Sequence, residues 1–149
     1  MQILVDVFGP ASTTGFGSAV FTASGVTEET LEAAALAQYQ AFVGTAWNAR
    51  EAAWRDGFKA LYQRPTAGGR IGTELHALQD PALRGVVGAM IDDSEDPARA
   101  RAALAGAFDA TEVRALRLYA LGDGEAMSGV EVAALREGGD AVFLILLLD

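Results

Sequence analysis

The sequence has no cysteine, a single histidine, His76, and a single lysine, Lys59. Without cysteine the chain forms no disulfide, no thiolate zinc site and no iron–sulfur cluster, and it has no thiol nucleophile. One histidine does not supply the several imidazoles on which many metal sites and general-base pairs depend. We therefore expect no metal and no cofactor. The sequence does not decide whether the chain is an enzyme, although these absences favour a non-catalytic role.

Long apolar runs are also lacking. The longest, residues 141–148, has eight residues, whereas a membrane-spanning helix needs about 20. The N-terminal segment has neither the basic region nor the long apolar stretch of a secretory signal peptide. We therefore expect no membrane association and a cytoplasmic location. The alanine-rich composition and the preference for arginine over lysine are typical of a GC-rich bacterial genome.

Basic residues are scarce beside acidic ones. The 11 Lys and Arg residues against 20 Asp and Glu give a net charge of −9. A field of this sign repels phosphate backbones, and the arginines are scattered instead of forming the basic stripe of a nucleic-acid-binding protein. We therefore expect no nucleic-acid partner. The acidity serves solubility, or it attracts a basic protein partner, and both interpretations stay open.

The composition that remains is that of one globular domain. Hydrophobic residues make up 51% of the 149 positions and charged residues 21%, which are ordinary values. The length is close to the commonest domain size. Neither an internal repeat nor a linker-like stretch divides the chain. We predict a single α+β domain over residues 1–149.

Segments rich in β-branched and apolar residues predict strands at both ends of the chain. Residues 3–8 and 18–23 predict an N-terminal hairpin around the Gly, Ser and Thr-rich loop 9–17. Residues 113–121, 130–135 and 141–148 predict a C-terminal meander, although 113–121 is also compatible with a helix.

The last predicted strand, residues 141–148, is apolar at every position. Such a strand lies inside a sheet and is buried on both faces. We therefore predict that Phe143 and Ile145 are buried on one face and Leu144 and Leu146 on the other. One face meets helices, and the other is covered by a further helix of this chain or by a second subunit.

Helical spacing dominates the middle of the chain. Apolar residues recur at this spacing through residues 28–63. The sequence leaves open whether this segment is one long helix or two helices with a bend near Gly44 or Gly57. Asp-Pro pairs at 80–81 and 96–97 predict two further helix starts, and 71–79 is weakly helical. The predicted fold class is thus α+β: an antiparallel sheet of about five strands, an N-terminal hairpin plus a C-terminal meander, with a long helix and two or three shorter helices packed on one face.

Four residues are candidate binding residues. Trp47 and Trp54 lie two helical turns apart and would mark an interface or ligand groove if they are exposed, although core packing also explains them. Asp123 and Glu125 lie in a Gly-rich loop after a predicted strand, where acids bind a ligand or stay solvated in a turn.

A second set of candidates comprises Asp6, Glu74 and His76, which together with Asp123 and Glu125 lie near predicted strand ends or apolar segments. A small enzyme or small-molecule binder would bring at least three of these five side chains into one sheet-edge pocket. On a helix, Glu74 and His76 point to different faces because they are two residues apart.

The densest acidic run, residues 92–96, has two interpretations as well. Asp96 precedes a proline at a predicted helix start, so the run is explained by helix capping in a solvated turn. The alternative is a surface that recognises a basic partner.

We predict from these observations a non-catalytic cytoplasmic protein-binding or regulatory protein whose partner is another, basic protein. An acidic inhibitor of the immunity or antitoxin kind is one concrete form. The alternative is a small enzyme or small-molecule binder that uses acidic residues in a sheet-edge pocket. A homodimer formed through the aromatic helix or through an edge strand at residues 3–8 stays open beside a monomer.

Overall fold

The computed structural model describes residues 2–149. Along the chain the elements are α1 (Gln2–Phe8), β1 (Gly17–Ala23), α2 (Leu31–Val43), α3 (Ala46–Ala49), α4 (Glu51–Gly57), β2 (Lys59–Gln63), α5 (Ile71–His76), α6 (Pro81–Val87), α7 (Pro97–Phe108), β3 (Val113–Gly122), β4 (Ser128–Arg136) and β5 (Ala141–Leu148). A π-helical turn, Gly88–Asp92, continues α6, and a 3₁₀ turn, Glu137–Gly139, joins β4 to β5. In residues 2–149 no helix has both the length and the apolar character needed to cross a membrane.

The five strands form one antiparallel sheet in the order β1-β5-β4-β3-β2. The α+β class and the C-terminal meander predicted from the sequence are confirmed, and residues 113–121 are strand. The β4–β5 turn closes where the Arg136 N–H donates to the Asp140 carbonyl at 2.7 Å. Gly138 and Gly139 occupy it at φ of 85° and 88°, a conformation that glycine adopts without strain.

The predicted N-terminal hairpin is wrong, because residues 3–8 form the helix α1. Leu4 and Phe8 are its buried residues, and their spacing of four places both on one helical face, which packs against α7. A short apolar run fits a strand and a buried helix equally, so its periodicity did not distinguish them. β1 pairs with β5 instead. The edge strand at 3–8 on which one homodimer contact was predicted therefore does not form.

The segment predicted as one long helix or two is divided into α2, α3, α4 and the edge strand β2. Gly44 ends α2 at φ 70°, which favours glycine. At Gly57 the chain runs so close to the carbonyl group of Gly122 that a Cβ atom would collide with it. The two glycines near which a bend was predicted thus both break the helix, and β2 supplies the fifth strand.

Helices cover both faces of the sheet, not one as predicted. We call these sides the α2–α4 face, covered by α2, α3 and α4, and the α5–α7 face, covered by α5, α6 and α7 together with α1. Phe143 and Ile145 are fully buried on the α2–α4 face, and Leu144 and Leu146 are fully buried on the α5–α7 face. The prediction for the last strand is confirmed, and both of its faces are covered by helices of the same chain.

Candidate functional site

Both tryptophans lie in the core of the α2–α4 face. Trp47 is 1% exposed and Trp54 is 6% exposed. Their rings meet the Tyr39 ring edge-on, with centroids 5.2 Å and 6.1 Å from it, and the Tyr39 hydroxyl donates to the Trp54 carbonyl at 2.9 Å. Core packing therefore accounts for Trp47 and Trp54, and they form no exposed ridge for a partner.

Asp123 and Glu125 lie in the turn between β3 and β4. Asp123 Oδ1 accepts three backbone N–H groups of this turn, from residues 125, 126 and 127, at 2.9, 3.1 and 3.0 Å. Arg50 lies 3.1 Å from a carboxylate oxygen of both Asp123 and Glu125. Burial raises the pKa of Asp123, but the backbone N–H groups and Arg50 outweigh burial and leave the pKa lowered. Asp123 thus stabilises the turn itself.

The second set of candidates does not converge. Asp6 lines a groove between α1 and α7, Glu74 a depression between β2 and the start of α6, and His76 a cleft between α5 and α7. Asp123 and Glu125 lie with Arg50, beside the opposite layer of helices. Within residues 2–149 the principal cavities include none that is lined by three of these five side chains. These cavities therefore do not bring the five candidate side chains together as the alternative hypothesis expects.

Glu74 belongs to a buried ionic network. Arg64 donates from Nε to Glu74 Oε2 at 2.9 Å and from Nη2 to Oε1 at 2.6 Å, and the Tyr62 hydroxyl donates to Oε2 at 2.6 Å. Arg64 also donates to the Phe108 carbonyl at 2.8 Å and lies 3.2 Å from Asp109. Burial raises the pKa of Glu74, but Arg64 and Tyr62 outweigh burial and leave the pKa lowered. The network joins β2, α5 and the end of α7.

His76 is held between two acceptors. Its Nδ1 lies 2.6 Å from the Gly72 carbonyl and its Nε2 lies 2.8 Å from Asp92 Oδ2. A carbonyl and a carboxylate only accept, so this arrangement favours the protonated ring, in which both nitrogens donate. The hydrogen bonds to Gly72 and Asp92 accordingly raise the pKa of His76. With both ring nitrogens held by acceptors, His76 is positioned as a donor at this cleft.

The most spacious of the described cavities is an acidic groove of about 700 Å³ between α1 and the start of α7. Its apolar lining includes Phe8, Met90 and Ala100, and its charged lining consists of Asp6, Glu95, Asp96 and Arg99. Asp96 also caps α7 by accepting the Arg99 N–H at 3.1 Å. The capping interpretation of the run 92–96 therefore holds for Asp96, while exposed Glu95 lines the groove without a hydrogen bond or salt bridge among the described residues.

Glu131 on β4 is a buried acid that the sequence analysis missed. It is fully buried on the α2–α4 face, opposite Tyr119 on β3 and Ile145 on β5, and neither carboxyl oxygen has a hydrogen-bond partner. The Tyr119 hydroxyl and Trp47 Nε1 are likewise buried without partners. Burial raises the pKa of Glu131 well above its ordinary value, because no partner compensates the charged form. The alternation of the predicted strand 130–135 would have placed Glu131 on the same face as Ala133 and Leu135.

Comparison with known proteins gives no significant match to a family, to a curated protein or to a solved structure. Residues 2–149 contain no group of three or more His, Asp or Glu side chains placed to hold a metal ion.

Proposed function

We propose that the chain is a non-catalytic protein that binds a basic segment of another protein in the acidic groove between α1 and α7. The observation that carries this proposal is the groove, which combines a concave shape, several apolar lining residues and three carboxylates against one guanidinium. Electrostatic complementarity of this kind steers a partner of opposite charge and fixes its orientation. A cytoplasmic regulatory role, including that of an acidic inhibitor of the immunity or antitoxin kind, belongs to the same proposal.

The charge balance of the surface supports a basic partner. Six of the 11 cationic residues already form salt bridges within the chain: Arg50, Arg55, Arg64, Arg101, Arg114 and Arg136. Asp6 and Glu95 form no salt bridge among the described residues. The groove therefore retains negative charge that a partner's arginine or lysine can neutralise.

An exposed apolar residue lies on the face of α1 that also contributes to the acidic groove. Ile3 on α1 is 58% exposed and precedes the groove residue Val7 by four positions, so the two side chains lie on one face of the helix. Apolar surface beside a charged concavity is typical of a protein-binding surface, where the apolar part supplies affinity and the charges supply orientation.

A capped arginine-rich peptide serves as the probe, with a peptide in which glutamate replaces arginine as its counterpart. Calorimetric titration at about 0.15 M ionic strength limits long-range attraction to a screening length of about 8 Å. The groove variant is Asp6→Asn with Glu95→Gln. The matched control is Glu28→Gln with Glu29→Gln, which removes the same charge from exposed positions before α2. Asp96 is left intact because it caps α7.

The arginine-rich peptide is expected to bind the wild-type chain, and the groove variant is expected to raise the Kd about tenfold, which corresponds to about 1.4 kcal/mol. The control variant is expected to keep the wild-type Kd. Equal loss of binding in the two variants would show that only net charge matters, and would overturn the proposed site. Binding of the glutamate-substituted peptide would overturn the preference for a basic partner.

A further inference from the structure

A second cavity lies between α5 and α7 and shares no lining residue with the acidic groove. Its volume is about 290 Å³, close to the lower end of the range for small-molecule sites. Its floor is formed by the buried side chains of Ile71, Leu75, Ile91 and Leu104. This floor offers an apolar environment to a small ligand.

The rim of this cleft is cationic, in a chain whose net charge is −9. Arg70, Arg101 and His76 line the cleft, whereas Asp109 is the one carboxylate in the lining. Asp109 already lies 3.2 Å from Arg64. Among the described residues Arg70 forms no salt bridge, so its guanidinium is available to an incoming anion.

Asp92 does not neutralise the rim, because its carboxylate is shared between His76 and Arg101. Its two carboxylate oxygens lie 2.8 Å from His76 Nε2 and 3.2 Å from Arg101 Nη2. One carboxylate therefore serves both the Arg101 guanidinium and the His76 ring. The Arg70 guanidinium, which has no counter-charge among the described residues, is the cation beside the apolar floor.

The π-helical turn after α6 brings the apolar and the polar parts of the cleft together. The Asp93 N–H donates to the Gly88 carbonyl at 2.8 Å, which is the i to i+5 bond of a π turn, a feature found frequently at functional sites. Within this one turn Ile91 contributes to the floor, and Asp92 holds His76 and Arg101 at the rim.

We infer that this cleft binds a small carboxylate with an apolar body, whose carboxylate meets Arg70 while its apolar part lies on the floor formed by Ile71, Leu75, Ile91 and Leu104. Arginine presents parallel N–H donors that match the geometry of a carboxylate. Because the cleft and the acidic groove share no residue, this site stands or fails independently of the proposed protein partner.

Octanoate is the probe, with acetate to test the carboxylate alone and octanol to test the apolar body alone. Binding is followed by the ligand-dependent shift of the thermal unfolding midpoint and by amide shifts of residues 70–76 and 101–109 in NMR spectra. Arg70→Gln removes the exposed guanidinium. Ala105→Trp fills the cleft from an exposed position on α7. Arg84→Gln, at an exposed position on α6 outside the cleft, is the matched control for charge.

Octanoate is expected to bind saturably to the wild-type chain and to the Arg84→Gln control, whereas acetate and octanol bind at least tenfold more weakly (about 1.4 kcal/mol). Arg70→Gln is expected to raise the Kd about fivefold, and Ala105→Trp is expected to abolish the amide shifts. The inference is overturned if octanoate does not bind, if Arg70→Gln and Arg84→Gln have the same Kd, or if octanol binds as well as octanoate. Circular dichroism melts of both cleft variants establish that each is folded when its binding is measured.

Discussion

Glu74 and Glu131 are buried glutamates on opposite sides of the sheet, and they differ in every polar contact. Glu74, beside the α5–α7 face, accepts hydrogen bonds from Nε and Nη2 of Arg64 and from the hydroxyl of Tyr62. Glu131, on the α2–α4 face, has no hydrogen-bond partner at either oxygen. The pKa of Glu74 is lowered and the pKa of Glu131 is raised, so the fold favours the ionised form of Glu74 and the protonated form of Glu131.

The difference shows how the two sides of the sheet are specialised. Burial penalises a charge on either side, and only paired charges persist under the helices. The α5–α7 face carries ionic networks, the acidic groove and the cationic cleft. The core of the α2–α4 face is aromatic, and Glu131 lies in it without a partner. We therefore expect binding activity on the α5–α7 side, and a structural role for the α2–α4 side.

The largest expected loss of stability comes from disrupting the buried pair of Glu74 and Arg64. Glu74→Gln leaves the Arg64 guanidinium, which is 10% exposed, without its principal counter-charge. We expect the free energy of unfolding in urea to fall by about 3–5 kcal/mol, the range for removing one partner of a buried ion pair. Glu51→Gln disrupts an exposed pair with Arg55 and is expected to cost about 0.5 kcal/mol or less. Equal losses in the two variants would contradict the assignment of Glu74 to a buried network.

For the unpartnered acid Glu131, the expected change in the free energy of unfolding has the opposite sign. Glu131→Met replaces a buried acid that has no partner with an apolar side chain of similar length and flexibility. We expect the free energy of unfolding to rise by about 1–3 kcal/mol, because the desolvation penalty of the carboxyl group is removed. Glu131→Gln keeps an unpartnered polar group and is expected to raise the free energy of unfolding only slightly. Destabilisation by Glu131→Met would mean that the carboxyl group makes a favourable interaction in the fold.

The contributions of the two acids to stability are also expected to depend on pH in different ways. Glu131 has a raised pKa in the folded state, so its contribution is complete below its ordinary value of about 4.3 and is lost as pH rises through the folded pKa. The stability of the wild-type chain relative to Glu131→Gln should therefore fall with rising pH, by at most about 1.4 kcal/mol per pH unit. Glu74 has a lowered pKa, so its contribution is present above its ordinary value and is lost as pH falls through the folded pKa. Urea unfolding at several pH values measures both contributions. If the difference in stability between the wild-type chain and Glu131→Gln does not change with pH above about 4.3, the raised pKa of Glu131 is contradicted.

The smallest expected effect concerns the turn that holds Asp123. Arg50 is 40% exposed in its contact with Asp123, so solvent screens this pair. Arg50→Gln is expected to lower the free energy of unfolding by about 0.5 kcal/mol, because the backbone N–H groups at Asp123 stay in place. A loss above about 2 kcal/mol would place this pair in the class of buried ion pairs.

Local chemistry explains which parts of the fold were predictable. The C-terminal hairpin, its Gly-Gly turn and the buried strand β5 follow from residues that are neighbours in sequence. Helix α1 could not be distinguished from a strand because seven residues carry too little periodicity. Strand β2 begins where Gly57 meets Gly122, a tertiary contact that no local pattern encodes.

The candidate sites were likewise predictable only where local sequence, and not a tertiary contact, decides them. The acidic run 92–96 was interpreted as helix capping or as a surface for a basic partner, but Asp6 joins it in the groove only because α1 packs on α7. The burial of Trp47 and Trp54 depends on the layer formed by α2, α3 and α4. The strand alternation places Glu131 on a face, but the lack of a partner becomes visible only when the opposing residues are known.

The difference between the two buried acids is tested most directly by an NMR titration of side-chain carboxyl carbons in the chain labelled at glutamate, with Glu74→Gln and Glu131→Gln used to assign the two resonances. We expect Glu74 to titrate below its ordinary pKa of about 4.3, and Glu131 to stay protonated well above it. A Glu131 resonance that titrates at or below this ordinary value would contradict a neutral, unpartnered acid on the α2–α4 face.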